Sequence, residues 1–92
     1  MEYNPKLDKD GFKIAVLDRG FVYVGEVSSY EDGIMIQNAR NIRVWGTTKG
    51  LGQLALSGPT KETVLDDVGT VLVPSHAIQH FVVTDPARWG RK

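Results

Sequence analysis

Hydrophobic and polar residues alternate along most of the chain with a period of two, which is the pattern of a half-buried β-strand. Short groups of glycine, proline and aspartate interrupt this alternation repeatedly, so the strands are predicted to be short. We expect about six strands in all. They are predicted at 12–17, 21–27, a third segment after Asp32-Gly33, 41–45, 69–74 and 77–84.

The first three predicted strands form a meander, because only short turns separate them. Residues 18–20 (DRG) separate the first two strands. Asp32-Gly33 is the kind of dipeptide that suits a two-residue hairpin turn between the second and the third. Gly25 lies within the second strand and predicts a bulge or bend that lets the sheet curl.

The hydrophobic period changes near residues 50–57, where Leu51, Leu54 and Ala55 share one face of a helix. The glycine-proline pair at 58–59 ends this helix after about two turns. The sequence therefore predicts one short helix inserted between strands.

The expected fold class is mainly β, a small curled antiparallel sheet or SH3-like barrel of about six strands with one short helix near residues 50–57. Residues 11–85 are predicted to form this single β-barrel-like domain. A loosely ordered segment, 1–10, precedes it and a basic tail, 86–92, follows it. Within the tail, we expect Trp89 either to contact a partner or nucleic acid, or to pack against the barrel.

Composition limits the kinds of function that this chain can carry. With 92 residues, it has room for one modest core, and a small core favours additional burial at a homo-oligomer interface. The lack of cysteine excludes disulfides and zinc–thiolate sites in the chain, and the formal net charge of zero argues against nonspecific nucleic-acid binding. We expect a cytoplasmic protein without membrane contact, because no apolar run approaches the roughly 20 residues of a membrane span.

Polar and aromatic residues around the predicted start of the helix form the candidate ligand site. A helix that begins near Gly50 leaves backbone N–H groups and the positive end of its dipole free to bind an anion. Upstream arginines can pair with phosphate, and an indole can stack on a base. In the alternative interpretation, the threonines cap the helix, the lysine is solvated and the tryptophan packs in the core. The predicted ligand-binding residues are Arg40, Arg43, Trp45, Thr47, Thr48, Lys49 and Gln53.

Other chemistry is weakly supported by the sequence. Gly50, Gly52 and Ala55 match the spacing of a dinucleotide-binding loop, but that loop belongs to a parallel strand-helix-strand unit that this pattern does not provide. His76 and His80 would lie about 13 Å apart on a strand, too far for one metal ion. We found no nucleophile with an obvious base partner, so we predict no enzyme, no metal and no cofactor.

Residues 20–85 carry the motifs N-A-R-x-x-x-x-W, L-x-Q-L-A-x-x-G-x-x-K and A-I-x-x-x-x-x-T. In this order they resemble a family of small proteins that is common in tailed phages and prophages. Asn38, Arg40 and Lys61 are among the matching positions. The chain departs from the family at VLDDV (64–68), which replaces cysteine and aromatic positions of its middle region.

The resemblance implies a phage or prophage origin but no particular activity. Small phage proteins of this size include modules that sequester the nucleotide signals of bacterial immunity and hold them at subunit interfaces. We therefore predict a homo-oligomeric module that binds a small anionic, nucleotide-like ligand without catalysis. The alternative is a structural or protein-interaction module of a phage or prophage with no small-molecule ligand.

Overall fold

The computed structural model describes residues 11–89, so the predicted N-terminal segment and residues 90–92 of the predicted tail lie outside it. The described chain contains five β-strands, one α-helix and three short 3₁₀ helices. The strands are β1 (Gly11–Leu17), β2 (Val22–Tyr30), β3 (Gly33–Val44), β4 (Val64–Pro74) and β5 (Ile78–Val83). Helix α1 spans Leu51–Ser57, and the 3₁₀ helices span Asp18–Gly20, Ser75–Ala77 and Pro86–Trp89.

The five strands form a single antiparallel sheet in the order β4-β3-β2-β1-β5. Strands β4 and β5 lie at its two edges, and within residues 11–89 they do not pair with each other to close a barrel. The predicted mainly-β class, with one short helix inserted near residues 50–57, is confirmed.

The strand count is five rather than about six, because two predicted strands are halves of one. The segment 41–45 is the end of β3, which runs for 12 residues. Asn38 has a positive φ of 52° in the middle of this strand, a conformation that asparagine adopts more readily than most residues. The ladder between β2 and β3 shifts register between Val24 and Glu26, on either side of Gly25. The ladder is thus irregular at Gly25, as predicted, but the extra residue lies on β3 between Gln37 and Arg40. Bulges of this kind bend a strand without ending it.

The turn between β2 and β3 lies one residue earlier than predicted. Tyr30 pairs with Gly33, so Glu31 and Asp32 form the turn, and Glu31 has a positive φ of 49°. Gly33 is the first residue of β3, and a Cβ atom there would overlap the carbonyl oxygen of Val73 on β4. The glycine is therefore needed for close approach of two strands and not for the turn itself.

Strand β4 starts at Val64, five residues before the predicted start at 69. The expected turn at Val68-Gly69 is instead an irregularity within the strand, where Gly69 has a φ of 80° and the pairing with β3 shifts register. Because a bulge keeps the strand running, β4 pairs with β3 along its whole length, from Gly33 to Val44.

A buried cluster packs on each face of the sheet. Ile14 and Ala15 are adjacent in β1 and belong to different clusters, as expected for neighbouring side chains that point to opposite faces. The helix-side core contains Ile14, Val22, Val24, Ile42, Leu54, Ala55 and Trp89. The opposite core contains Ala15, Leu17, Val27, Ile34, Ile36, Ala39 and Val73.

Trp89 connects the C-terminal end of the described chain to helix α1. Its side chain is buried, and its indole N–H donates a hydrogen bond of 3.1 Å to the carbonyl oxygen of Ala55. The same carbonyl accepts the backbone N–H of Asp85 at 3.0 Å. The indole ring also packs against Phe12, with ring centroids 5.9 Å apart. Of the two predicted roles of Trp89, the structure shows packing against the domain.

Candidate functional site

The polar groups predicted to bind an anion at the start of α1 contact one another. The Thr47 hydroxyl donates a hydrogen bond of 2.9 Å to the carbonyl oxygen of Gly50. The side-chain oxygen of Gln53 accepts the backbone N–H of Lys49 at 2.8 Å and the Thr48 hydroxyl at 3.1 Å. Gln53 therefore ties the preceding loop to the first turn of the helix through the N–H of Lys49, whereas the N-cap residue itself, Gly50, provides no side-chain cap.

The loop that precedes α1 is held from the other side by two threonines. Thr60 donates its hydroxyl to the carbonyl oxygen of Gly46, and Thr63 donates to that of Trp45, each at 2.7 Å. The Trp45 ring lies beside Gly50, and the side chain is 42% exposed. The structure thus brings Trp45 and the helix-start residues together. Most polar groups of this loop form hydrogen bonds within the loop or with the segments beside it.

The two predicted arginines do not join one site. Arg40 is half-buried, and its guanidinium carbon lies 5.9 Å from the centre of the Trp89 ring, on the helix side of the sheet. Arg43 is exposed and donates a hydrogen bond of 2.8 Å from Nε to Asp66 on β4. Their odd spacing along β3 places the two side chains on opposite faces.

Arg43 instead lines an open groove of about 400 Å³ at the end of the sheet. Volumes of this size fall in the range of small-ligand sites. Two aromatic rings, Phe21 and Tyr23, lie in the groove almost parallel, with an interplanar angle of 6° and centroids 6.5 Å apart. Phe21 is 52% exposed, so one aromatic face is available to a ligand. The groove residues are Arg19, Gly20, Phe21, Tyr23, Asn41, Ile42, Arg43, Asp66 and Val68.

Strand register explains why these side chains meet. Tyr23 of β2 is directly opposite Asn41 of β3, which is in turn opposite Asp66 of β4. Phe21 and Arg43 each lie two positions from this row, on the same face of the sheet. The row of Tyr23, Asn41 and Asp66 across three strands thus forms the floor of the groove. The turn Asp18–Gly20 forms one end of it.

Arg19 occupies that end of the groove. It has a positive φ of 65°, is exposed, and forms no ion pair with any of residues 11–89. Arg43 is partly neutralised by Asp66, so Arg19 carries most of the uncompensated positive charge of the groove. The side-chain nitrogen of Asn41 donates to the carbonyl oxygen of Val22 at 3.2 Å, which fixes the amide at the edge of the groove.

The groove combines a flat aromatic surface with cationic and amide groups. Aromatic faces stack on planar rings, and guanidinium groups bind phosphate or carboxylate oxygens. Of the predicted ligand residues, only Arg43 belongs to this groove. Arg19, Phe21, Tyr23 and Asn41 were missed, although the alternation of Phe21 and Tyr23 beside the DRG turn signalled an aromatic face.

The two histidines lie in different elements of the fold. His76 is in the 3₁₀ helix Ser75–Ala77 and His80 is in β5, both exposed. In the part of the chain that the structure describes, no three histidine or acidic side chains cluster as metal ligands would. The described residues also include no helix with the length and hydropathy of a transmembrane span.

Comparison with known proteins gave no match to this chain among protein-family models, curated proteins or solved structures. The resemblance to the phage family therefore stays a prediction from the sequence motifs.

Proposed function

We propose that this protein is a non-catalytic binding module for a small phosphorylated, nucleotide-like ligand, and that the ligand occupies the groove between Arg19 and Arg43. One observation carries the proposal. The stacked Phe21–Tyr23 pair and two arginines line the same open groove at the end of the sheet.

The chemistry of the groove matches the two halves of a nucleotide. A base can stack on the exposed Phe21 ring, and such stacking contributes about 1 to 3 kcal/mol per base. The guanidinium of Arg19 can pair with a phosphate in bidentate geometry. Asn41 lines the same groove, and its amide can form hydrogen bonds with the polar edge of a base.

The resemblance to the phage family suggests the biological class of ligand. It favours a cyclic nucleotide or a related signal of bacterial immunity, which the module would sequester. A groove that is open along one side suits reversible binding of a ligand larger than a mononucleotide.

The test is isothermal titration and native mass spectrometry with mononucleotides, cyclic dinucleotides and cyclic trinucleotides. Phe21→Ala and Arg19→Gln should each lower the affinity of the bound nucleotide by roughly 5- to 150-fold, because each removes an interaction worth roughly 1 to 3 kcal/mol. Arg88→Gln is the matched control, since Arg88 is an exposed arginine outside the groove. The melting temperature of each variant should stay near that of the parent, as is usual for exposed positions.

Lys49→Ala separates the two candidate locations of the ligand. Unchanged affinity in this variant supports the groove, whereas a loss with Lys49→Ala and none with Arg19→Gln would place the ligand at the start of α1. If no nucleotide binds, the proposal is wrong and the protein-interaction function becomes the better hypothesis. Recovery of a cleaved ligand would contradict the non-catalytic part of the proposal.

A further inference from the structure

Strand β4 is an unprotected edge of the sheet. It is 11 residues long, and within residues 11–89 it pairs only with β3. Residues 68–74 of this strand contain no charged side chain. Val68 and Leu72 in this segment are 45% and 57% exposed. Proteins usually protect long edge strands with charges, prolines, bulges or covering elements. Asp66, Asp67 and the irregularity at Gly69 protect the first half of β4, so the uncharged residues 70–74 are the part of this edge that indicates a partner strand.

The other edge of the sheet is protected in several ways. Strand β5 has only six residues and includes Gln79 and His80. Helix α1 packs beside it, and the chain that follows β5 is tied to α1 by the hydrogen bond from Asp85 to the carbonyl oxygen of Ala55. Short length, polar side chains and a neighbouring helix are the devices that normally prevent edge-to-edge pairing. The two edges therefore differ, and only β4 is suited to addition of a strand.

We infer that a second copy of this chain covers the β4 edge, with the β4 strands of the two copies antiparallel about a two-fold axis. The pairing extends the two sheets into one continuous sheet through residues 70–74, beyond the irregularity at Gly69. Antiparallel pairing of identical strands is an isologous contact, which closes at two subunits.

Charge supports a second copy over a different partner. The uncharged segment 70–74 meets only itself in this arrangement, so no like charges face each other across the strands. The formal net charge of the chain is zero, and two copies therefore have little long-range repulsion. A strongly acidic or basic partner would gain nothing from this segment. Pro74 lacks a backbone N–H and marks the end of the segment that can pair.

The test is the subunit number of the full chain, measured by native mass spectrometry and by light scattering after size exclusion, over a range of concentrations. The parent protein should be a dimer. Leu72→Lys should shift it to monomer, because a lysine on each copy brings two positive charges into the same interface. Leu72 lies outside the ligand groove, so this variant leaves the residues of the proposed function in place.

Val83→Lys is the matched control. Val83 is a β-strand residue that is 65% exposed, and it lies on β5 at the protected edge. The same apolar-to-lysine change there should leave the dimer intact. Far-ultraviolet circular dichroism should show that both variants are folded, as expected from their exposure.

Three results would overturn the inference. The parent chain could be monomeric at every concentration, or it could form a ring of three or more subunits, which a two-fold contact does not produce. Alternatively, Val83→Lys could dissociate the oligomer while Leu72→Lys does not, which would locate the contact at β5. Arg19→Gln should not change the subunit number, so loss of ligand binding and loss of the dimer are distinguishable.

Discussion

Removal of the Trp89 side chain should destabilise the whole domain, although this residue is close to the end of the chain. Trp89 is only 6% exposed and packs in the helix-side core with Leu54 and Ala55. It also contacts Phe12 at the start of the sheet, so it joins α1 to β1. The last described turn is therefore part of the core.

The expected magnitude follows from these contacts. Replacing a buried tryptophan by alanine typically costs about 3 to 5 kcal/mol. The indole hydrogen bond contributes about 1 kcal/mol of this and no more, because the carbonyl of Ala55 keeps the N–H of Asp85 as a second donor. Trp89→Ala should therefore lower the free energy of unfolding by about 4 kcal/mol and the melting temperature by roughly 16 °C or more. Trp89→Phe keeps most of the ring contact and should cost about 1 to 2 kcal/mol.

The assay is urea unfolding followed by far-ultraviolet circular dichroism, which does not depend on tryptophan fluorescence. Trp45→Phe is the control, because Trp45 is 42% exposed, and this change should cost less than about 1 kcal/mol. Since small domains have about 5 to 15 kcal/mol of total stability, Trp89→Ala could unfold at room temperature, and Trp89→Phe keeps the test informative. A Trp89→Ala variant within 1 kcal/mol of the parent, or a Trp45→Phe variant as unstable as Trp89→Ala, would refute the assignment of Trp89 to the core.

Two further predictions concern helix α1. Gly52→Ala should raise the free energy of unfolding by about 0.5 to 1 kcal/mol, because a Cβ atom there meets no heavy atom within 4 Å and alanine restricts the unfolded chain; a lower urea midpoint would contradict this. Gln53→Ala should lower the free energy of unfolding by about 1 kcal/mol, because the N–H of Lys49 loses its acceptor. Gln53→Glu keeps an acceptor oxygen and should be nearly neutral. Equal stability of the alanine and glutamate variants in the same assay would argue against this hydrogen bond.

Local patterns in the sequence were sufficient for the fold class and for the helix. The alternation of β1 and β2 and the spacing of Leu51, Leu54 and Ala55 depend on residues that are close in sequence. They therefore predicted the first strands and the short helix correctly. The sequence could not show that Asn38 and Gly69 continue a strand, since the same residues also end strands in other contexts.

The candidate site was harder to predict, because its parts come from distant segments. The sequence indicated Arg40, Arg43 and Trp45 as parts of one site, and of these three only Arg43 lines the groove. The loop residues Thr47, Thr48 and Lys49 are local in sequence but make hydrogen bonds within their own loop and helix. Arg19 and Phe21 join Arg43 only through the pairing of β2 with β3, which no local pattern encodes.

The sequence by itself determined a small, mainly-β domain with one inserted helix, because hydrophobic period and turn residues act over a few positions. Only the tertiary structure decided which strands lie at the edges and which side chains share a groove. Both depend on strand order and register, and a shift of one residue moves every side chain of a strand to the other face. For this reason the exposed edge of β4 and the groove beside Phe21 became visible only in the folded chain.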